Sequence, residues 1–224
     1  MMNVKLFIGA ILKFLLGVFL VGILIFLPAG TVFFKYGWLL MGILFVPMFV
    51  AGLVMMVKNP ELLKKRLNAK EKEGEQQTVQ KLSGLMFILG FILAGLDFRF
   101  GWLPLPPWVS VIGSVLFLAS YAIYAEVLRE NTYLSRTIEV QEGQKVISTG
   151  LYGIVRHPMY FATLLLFTSM PIVLGSVIAI IPFLFYPLII GKRIINEEKV
   201  LSDGLEGYID YMKKVKYRLI PFIW

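Results

Sequence analysis

The residues able to do chemistry lie in three polar clusters in the second half of the chain, at positions 136–157, 191–198 and 206–218. The sequence of 224 residues has no cysteine and one histidine. These counts exclude disulfides, thiolate metal sites, cysteine nucleophiles and histidine-cluster metal sites. Any reaction must therefore use carboxylates, arginine, tyrosine, the single histidine or a bound cofactor.

The first cluster ends in an Arg-His-Pro-Met-Tyr motif at positions 156–160. Pro158 suits the first turn of a helix, where its missing N–H costs nothing, and His157 would be the cap residue. A helix N-terminus favours negative charge, so the motif could hold an anionic group. The same residues are also typical of an anchor at a membrane boundary, and both interpretations stay open on this motif alone.

The second and third clusters are equally open when each is taken alone. Arg193 and Glu197 are four residues apart, so on a helix they face the same way. They could flank a pocket between helices, or form a surface ion pair worth about 0.3 kcal/mol. Tyr208 and Tyr211 precede four basic residues and an apolar segment ending at Trp224, a pattern typical of an amphipathic helix on anionic lipid.

The composition indicates the kind of scaffold that carries these clusters. Hydrophobic residues make up 58% of the chain and charged residues 16%, and the mean hydropathy is +0.79. Soluble domains are about 45–50% apolar and about 25% charged, so the chain is expected to be a helical membrane protein. Five apolar runs support this prediction: Leu6–Leu27, Trp38–Val57, Leu82–Leu96, Trp108–Ala125 and Met159–Ile190.

The last run is too long for a single span, because as one helix it would measure about 48 Å. Pro171 and Gly175-Ser176 near its middle predict a tight helical hairpin over 159–190, with one long kinked helix as the alternative. The first run could also be a signal peptide, but its length favours an anchor helix.

The fold class predicted is therefore an all-α integral membrane protein with about four transmembrane helices and a C-terminal helical hairpin. We expect an N-terminal part, 1–125, with a charged, solvated and helical loop at 58–81, and a C-terminal part, 126–224, that carries the site.

The basic residues predict the orientation in the membrane. Lys and Arg number 22 in all, and the net charge is +8. Eighteen of them fall in segments 58–81, 126–158 and 191–224. These segments all lie on one side of the membrane if the hairpin crosses the bilayer twice. By the positive-inside rule, that side, both termini and a pocket for a cofactor are expected to be cytoplasmic. The excess charge then faces anionic lipid, and nucleic acid is not expected as a partner.

The order and spacing of the clusters over residues 126–224 resemble the isoprenylcysteine carboxyl methyltransferase family, within a broader group that includes phospholipid N-methyltransferases. The motifs that carry the resemblance are Gly150-Leu151-Tyr152, Arg156-His157-Pro158-Met159-Tyr160, an uncharged hairpin, Arg193 with Glu197-Glu198, Tyr208, Tyr211 and Leu219-Ile220-Pro221. The resemblance implies S-adenosylmethionine as cofactor. No GxGxxG motif is present, so a soluble Rossmann-type site is not indicated.

The resemblance also implies roles for particular residues. Arg193 matches the position that faces and orients the methyl acceptor. Ten residues are expected to line the cofactor site: Glu139, Gln144, Lys145, Val146, Ile147, Tyr152, His157, Pro158, Tyr160 and Glu197. Of these, the four at 144–147 would contact the adenosine part through their backbone. The segment between Leu201 and Tyr208 is one residue shorter than in the family, so the roles of Tyr208 and Tyr211 stay open.

The chemistry of the cofactor agrees with these roles. Its ammonium can pair with Glu197, its carboxylate suits His157 and the helix N-terminus, and its sulfonium can lie beside Tyr152 or Tyr160 through a cation–π contact of about 0.5–2 kcal/mol. A carboxylate acceptor is already ionised, and Arg193 could hold it in a bidentate pair.

A site between membrane helices can be entered from lipid, so we expect a hydrophobic or lipid-like acceptor. The resemblance implies carboxyl O-methylation of an isoprenylcysteine-like substrate. Three alternatives stay open: a phospholipid amine N-methyltransferase, an NADPH-dependent membrane reductase of the sterol reductase type, and a non-enzymatic lipid-binding protein. A transporter is disfavoured, since Lys13 is the only charge inside the apolar runs and no repeat is found.

Overall fold

The computed structural model describes residues 4–68, 74–135 and 137–224. The described residues are mostly helical and contain no β-strand, as the composition predicts. The helices are α1 (Val4–Ala29), α2 (Lys35–Lys58), α3 (Pro60–Leu67), α4 (Gly74–Phe100), α5 (Pro107–Glu130), α6 (Pro158–Val173), α7 (Val177–Phe183), α8 (Tyr186–Gly204) and α9 (Tyr208–Lys214), with a 3₁₀ turn at Gly150–Gly153.

Five helical stretches are long and apolar enough to cross a bilayer. Four of them lie in α1, α2, α4 and α5, and the fifth is Val177–Gly204, which combines α7 and α8; α6 is a shorter apolar helix. Large apolar side chains on the outside, such as Leu27, Phe33 and Leu188, are more than 70% exposed. Such a surface is unfavourable in water and suited to lipid, so the chain is a multi-pass integral membrane protein.

The predicted hairpin is present as two helical arms joined by a tight turn. The chain reverses after Val173, where Gly175 has a φ of 73°, and the Ser176 hydroxyl caps α7 by accepting from the Ala179 N–H at 3.2 Å. The Tyr186 hydroxyl donates to Thr163 Oγ1 at 2.9 Å and joins the two arms farther from the turn. The return arm does not end at 190 but continues as helix to Gly204.

The tip of the hairpin is fixed by the loop between α4 and α5. The Leu105 N–H donates to the Gly175 carbonyl at 2.7 Å, and the Val177 N–H donates to the Leu103 carbonyl at 3.2 Å. Asp97 holds that loop in place, because its Oδ1 accepts from the Leu103 N–H at 2.7 Å. The hairpin is therefore attached to the N-terminal helices at the end opposite the polar clusters.

Glycines allow the helices to approach closely, as is common in membrane proteins. A Cβ on Gly95 of α4 would lie 2.5 Å from the Ile25 carbonyl oxygen of α1. On Gly90 it would lie 2.2 Å from the ring of Phe183 in α7. These contacts pack the N-terminal helices against the hairpin around one apolar core.

The described part of the charged segment 58–81 is largely helical, as expected, but it is not wholly solvated. Its first part forms α3, in which Leu62 and Leu63 are buried, and its last part begins α4. The Lys13 ammonium of α1 donates to the Leu67 carbonyl at the end of α3, at 2.8 Å. Lys70 and Lys72, with Glu71 and Glu73, were expected in this loop and lie outside the described residues.

Candidate functional site

One cavity brings the three polar clusters together. Its walls come from residues 131–147, the turn at 150–153, the start of α6, the later half of α8, and α9. The residues expected at the site that line this cavity are Glu139, Gln144, Lys145, Val146, Ile147, Tyr152, His157, Tyr160, Arg193 and Glu197. Pro158 is the exception: it occupies the first turn of α6, as predicted, but is buried there and does not line the cavity.

A buried ion cluster around Glu198 forms the base of the site. Glu198 is 5% exposed. Its Oε1 accepts from Arg156 Nε at 2.6 Å and lies 3.2 Å from His157 Nε2, while its Oε2 accepts from Arg218 Nε at 2.8 Å. A carboxylate this deeply buried is stable only when its partners satisfy it, and here three do. His157 therefore caps α6 through its backbone and turns its ring toward Glu198.

The same cluster attaches the C-terminal segment to the start of the hairpin. The Arg156 N–H donates to the Tyr217 carbonyl and the His157 N–H to the Arg218 carbonyl, both at 2.9 Å. Arg156 Nη1 also donates to the Val215 carbonyl at 3.0 Å. Residues 215–218 are thereby held beside the first turn of α6. Sequence reasoning missed this function of Glu198, although the Glu-Glu doublet and the nearby arginines were its visible signal.

A second polar chain faces the cavity. Glu197, one residue before Glu198, accepts a hydrogen bond from the Tyr160 hydroxyl. Arg193 Nε donates to the same hydroxyl at 2.9 Å, and Arg193 Nη1 donates to Gln76 Oε1 at 3.2 Å. Arg193 and Glu197, which were paired by their spacing in the sequence, therefore both form hydrogen bonds with the Tyr160 hydroxyl. Gln76, from α4, was not anticipated by the sequence.

Three tyrosines form another side of the cavity. The Tyr152 hydroxyl accepts from Asn131 Nδ2 at 2.9 Å, and the Tyr211 hydroxyl donates to the Tyr152 carbonyl at 2.8 Å. Burial raises the pKa of all three phenols, Tyr152, Tyr208 and Tyr211, so each remains a hydrogen-bond donor at neutral pH. The Tyr208 hydroxyl is buried and has no partner in the part of the chain that the structure describes.

The wall formed by residues 131–147 is held by α3. Lys65 donates to Gln141 Oε1 at 2.5 Å, and Arg66 donates to the Tyr124 hydroxyl and, at 3.4 Å, to the Ser135 carbonyl. The Glu139 and Lys145 side chains are exposed at the cavity edge. Arg136, the first residue of the first cluster, lies outside the described residues.

The electrostatics of the cavity are mixed. Arg156 and His157 are directed to Glu198, whereas Glu197 and Glu139 remain on the lining with Lys145 and Arg193. The site can therefore hold a ligand that carries both signs of charge. In the residues that the structure describes, no group of three or more His, Asp or Glu side chains could bind a metal ion.

Two curated relatives each match part of the chain. A Delta(14)-sterol reductase of Methylotuvimicrobium alcaliphilum is 26% identical over 135 residues, which cover 54% of this chain and 32% of that protein. A Delta(14)-sterol reductase of Mus musculus is 29% identical over 91 residues, covering 39% of this chain and 22% of that protein. The chain thus spans about a third or less of the length of these relatives.

The profile of a protein family matches a segment that holds most of the cavity lining. This segment includes α5 from Val111, the wall at 131–147, α6 and nearly all of α8. The matched segment contains the buried Glu198 and the cavity-facing Glu197. The match confirms the resemblance stated from the motifs. The family whose model matches, over residues 111–203, is the isoprenylcysteine carboxyl methyltransferase (ICMT) family.

Proposed function

We propose that this protein is an S-adenosylmethionine-dependent methyltransferase of the membrane that acts on a hydrophobic or lipid-like acceptor. One observation carries the proposal: ten of the eleven residues that the family resemblance assigns to the site line a single cavity. They come from three separate parts of the chain, and that convergence is what a cofactor site requires.

The charges and donors of the cavity fit this cofactor. Its sulfonium and ammonium are positive, and Glu197 and Glu139 offer carboxylates to them. Its carboxylate suits Lys145 and the N-terminus of α6. The Tyr208 hydroxyl, buried without a partner in the described structure, would gain an acceptor from a bound ligand.

The residues of the chain then orient and enclose the reactants. When bound, the cofactor supplies an electrophilic methyl group. Tyr152 and Tyr160 line the cavity, where an aromatic ring can contact a cation, and the cavity walls reduce the exposure of the reactants to water. Methyl transfer is an in-line displacement, so positioning is the main task of the protein.

The acceptor that this arrangement favours is a carboxylate on an apolar molecule, such as an isoprenylcysteine-like substrate. Arg193 lies on the cavity lining and can pair with a carboxylate, which needs no general base. A protonated amine would be repelled by this guanidinium and would first have to lose a proton. Tyr160 of the apolar helix α6 and Arg193 of α8 both line the cavity, so an apolar acceptor could reach it from the lipid along the hairpin.

The orientation that fits this proposal places both termini and the cofactor site on the cytoplasmic side. The distribution of basic residues supports it, because the cavity is built from two of the three Lys/Arg-rich segments.

A reductase is the second candidate, since both curated relatives reported above are Delta(14)-sterol reductases. NADPH carries several negatively charged phosphate groups, so its site needs cationic side chains that are not already paired with carboxylates. Arg156 and Arg218 are bound to Glu198, and two further carboxylates, Glu139 and Glu197, line the cavity. The charge balance therefore favours S-adenosylmethionine over NADPH.

The experiment compares ligands on the protein purified in detergent. We expect S-adenosylmethionine to raise the melting temperature and NADPH to leave it unchanged. Radiolabelled methyl groups should then pass to an S-farnesylated N-acetylcysteine and not to phosphatidylethanolamine. Stabilisation by NADPH alone would support the reductase. Stabilisation by neither ligand would reject both enzymes and favour a non-enzymatic lipid-binding role.

A further inference from the structure

A buried glutamine links the N-terminal helices to the acceptor side of the cavity. Gln76 lies in the first turn of α4 and is 2% exposed, whereas its neighbours Gln77 and Thr78 are exposed. A buried amide is costly unless it is hydrogen-bonded, and the Gln76 Oε1 accepts from Arg193 Nη1 at 3.2 Å. α4 therefore holds Arg193 from outside the cavity.

Gln76 stands at one end of a polar chain that runs through Arg193 and Tyr160 to Glu197. The other three residues line the cavity and Gln76 does not. The two bonds to Arg193 reach different nitrogens, Nε and Nη1, so together they fix the plane of the guanidinium. The planar fork of an arginine recognises a carboxylate only when it is oriented, so its supporting partners affect binding.

The chemical nature of the partner is informative. An amide oxygen accepts a hydrogen bond from Arg193 without adding a negative charge, whereas a glutamate at position 76 would pair with the guanidinium and reduce its attraction for an anion. The position also lies outside the segment 111–203 that matches the methyltransferase family.

We propose that Gln76 is a positioning residue that orients Arg193 toward an anionic, carboxylate-bearing acceptor, and that α4 thereby contributes to acceptor specificity. The proposal rests on the proposed methyltransferase function and extends it to the N-terminal half.

The test uses three variants of the full chain in detergent. Gln76→Leu removes the acceptor atom at similar volume, Gln76→Glu adds a carboxylate, and Gln77→Leu is the matched control on the exposed neighbouring position. Each is measured for S-adenosylmethionine affinity by thermal shift, and for kcat and KM with an S-farnesylated N-acetylcysteine.

We expect Gln76→Leu to raise the acceptor KM at least tenfold and Gln76→Glu to raise it further, with cofactor affinity within twofold of wild type in both. Gln77→Leu should behave as wild type. An acceptor KM within twofold of wild type in Gln76→Leu would overturn the proposal, and so would an equal loss of cofactor affinity, which would indicate a merely structural role.

The outcome for the wild-type protein separates this proposal from the one on which it rests. If wild type does not bind S-adenosylmethionine, the methyltransferase function itself fails. If wild type binds the cofactor but methylates phosphatidylethanolamine instead of the carboxylate, the methyltransferase stands and the role of Gln76 in carboxylate recognition is wrong.

Discussion

Glu197 and Glu198 are adjacent in the chain, yet their carboxylates lie in different environments. Glu198 is buried among Arg156, His157 and Arg218, whereas Glu197 lines the cavity and accepts from Tyr160. Successive positions on a helix point about 100° apart, which is why two identical side chains can serve two purposes. One carboxylate holds the structure together, and the other remains available to a ligand.

The two carboxylates should therefore respond differently to the same substitution. Glu198→Gln leaves the buried Arg156 without its counter-charge and should destabilise the protein by about 3 kcal/mol. Glu197→Gln should leave the melting temperature nearly unchanged and weaken S-adenosylmethionine binding about tenfold, because a charge-assisted contact to the ammonium is lost. Thermal melting and calorimetric titration of both variants measure these effects. A reversed pattern would show that the two assignments are exchanged.

The tyrosines of α9 provide a second matched pair. Tyr208→Phe removes a buried hydroxyl that has no partner in the described structure, so stability should stay the same or rise by about 1 kcal/mol, while cofactor affinity should fall about fivefold. Tyr211→Phe removes the bond to the Tyr152 carbonyl and should lower stability by about 1 kcal/mol. Melting curves with and without S-adenosylmethionine distinguish the two. Unchanged affinity in Tyr208→Phe would mean that its hydroxyl does not contact the ligand.

The absence of cysteine makes the orientation in the membrane directly measurable. Lys35 and Lys214 are both exposed, and the predicted topology places them on opposite sides of the membrane. In intact cells, a membrane-impermeant maleimide should label Lys35→Cys, and it should label Lys214→Cys only after the cells are lysed. The unsubstituted protein gives the background. Labelling of Lys214→Cys in intact cells would place the cavity on the outer side.

The contact between α1 and α4 depends on Gly95. A methyl group there would lie 2.5 Å from the Ile25 carbonyl oxygen, so Gly95→Ala should force the helices apart and destabilise the protein by about 1–3 kcal/mol. Gly84 lies on the same helix and has open space around it, so Gly84→Ala is the control and should be neutral or slightly stabilising. Thermal melting in detergent compares them. Equal melting temperatures would show that the two helices can separate without cost.

Much of the fold follows from local features of the sequence. Long uncharged runs require helices in lipid, and Gly175-Ser176 after Pro171 marks the reversal of the hairpin, as the structure confirms. The end of the return arm was misplaced because residues after Ile190 become polar while the helix continues to Gly204. Polarity marks the limit of the apolar stretch, and a helix does not have to end there.

Without the family resemblance, the site could be predicted only to the level of neighbouring segments. Hairpin geometry places the first two polar clusters side by side, and motif order indicates which side chains belong together. The inward face of α8 depends on how that helix is rotated against α4 and α6, so sequence alone did not assign Glu198 to the buried cluster. Gln76 was missed because its contact with Arg193 joins residues far apart in the chain.

The attachment of residues 215–218 to the start of α6 has a consequence for biogenesis. The backbone hydrogen bonds from Arg156 and His157 to Tyr217 and Arg218 can form only after Tyr217 and Arg218 have left the ribosome. The apolar helices are by then already available for insertion into the bilayer. Assembly is therefore expected in two stages, in which a lipid-embedded bundle forms first and the ligand pocket is completed once residues 215–218 have emerged.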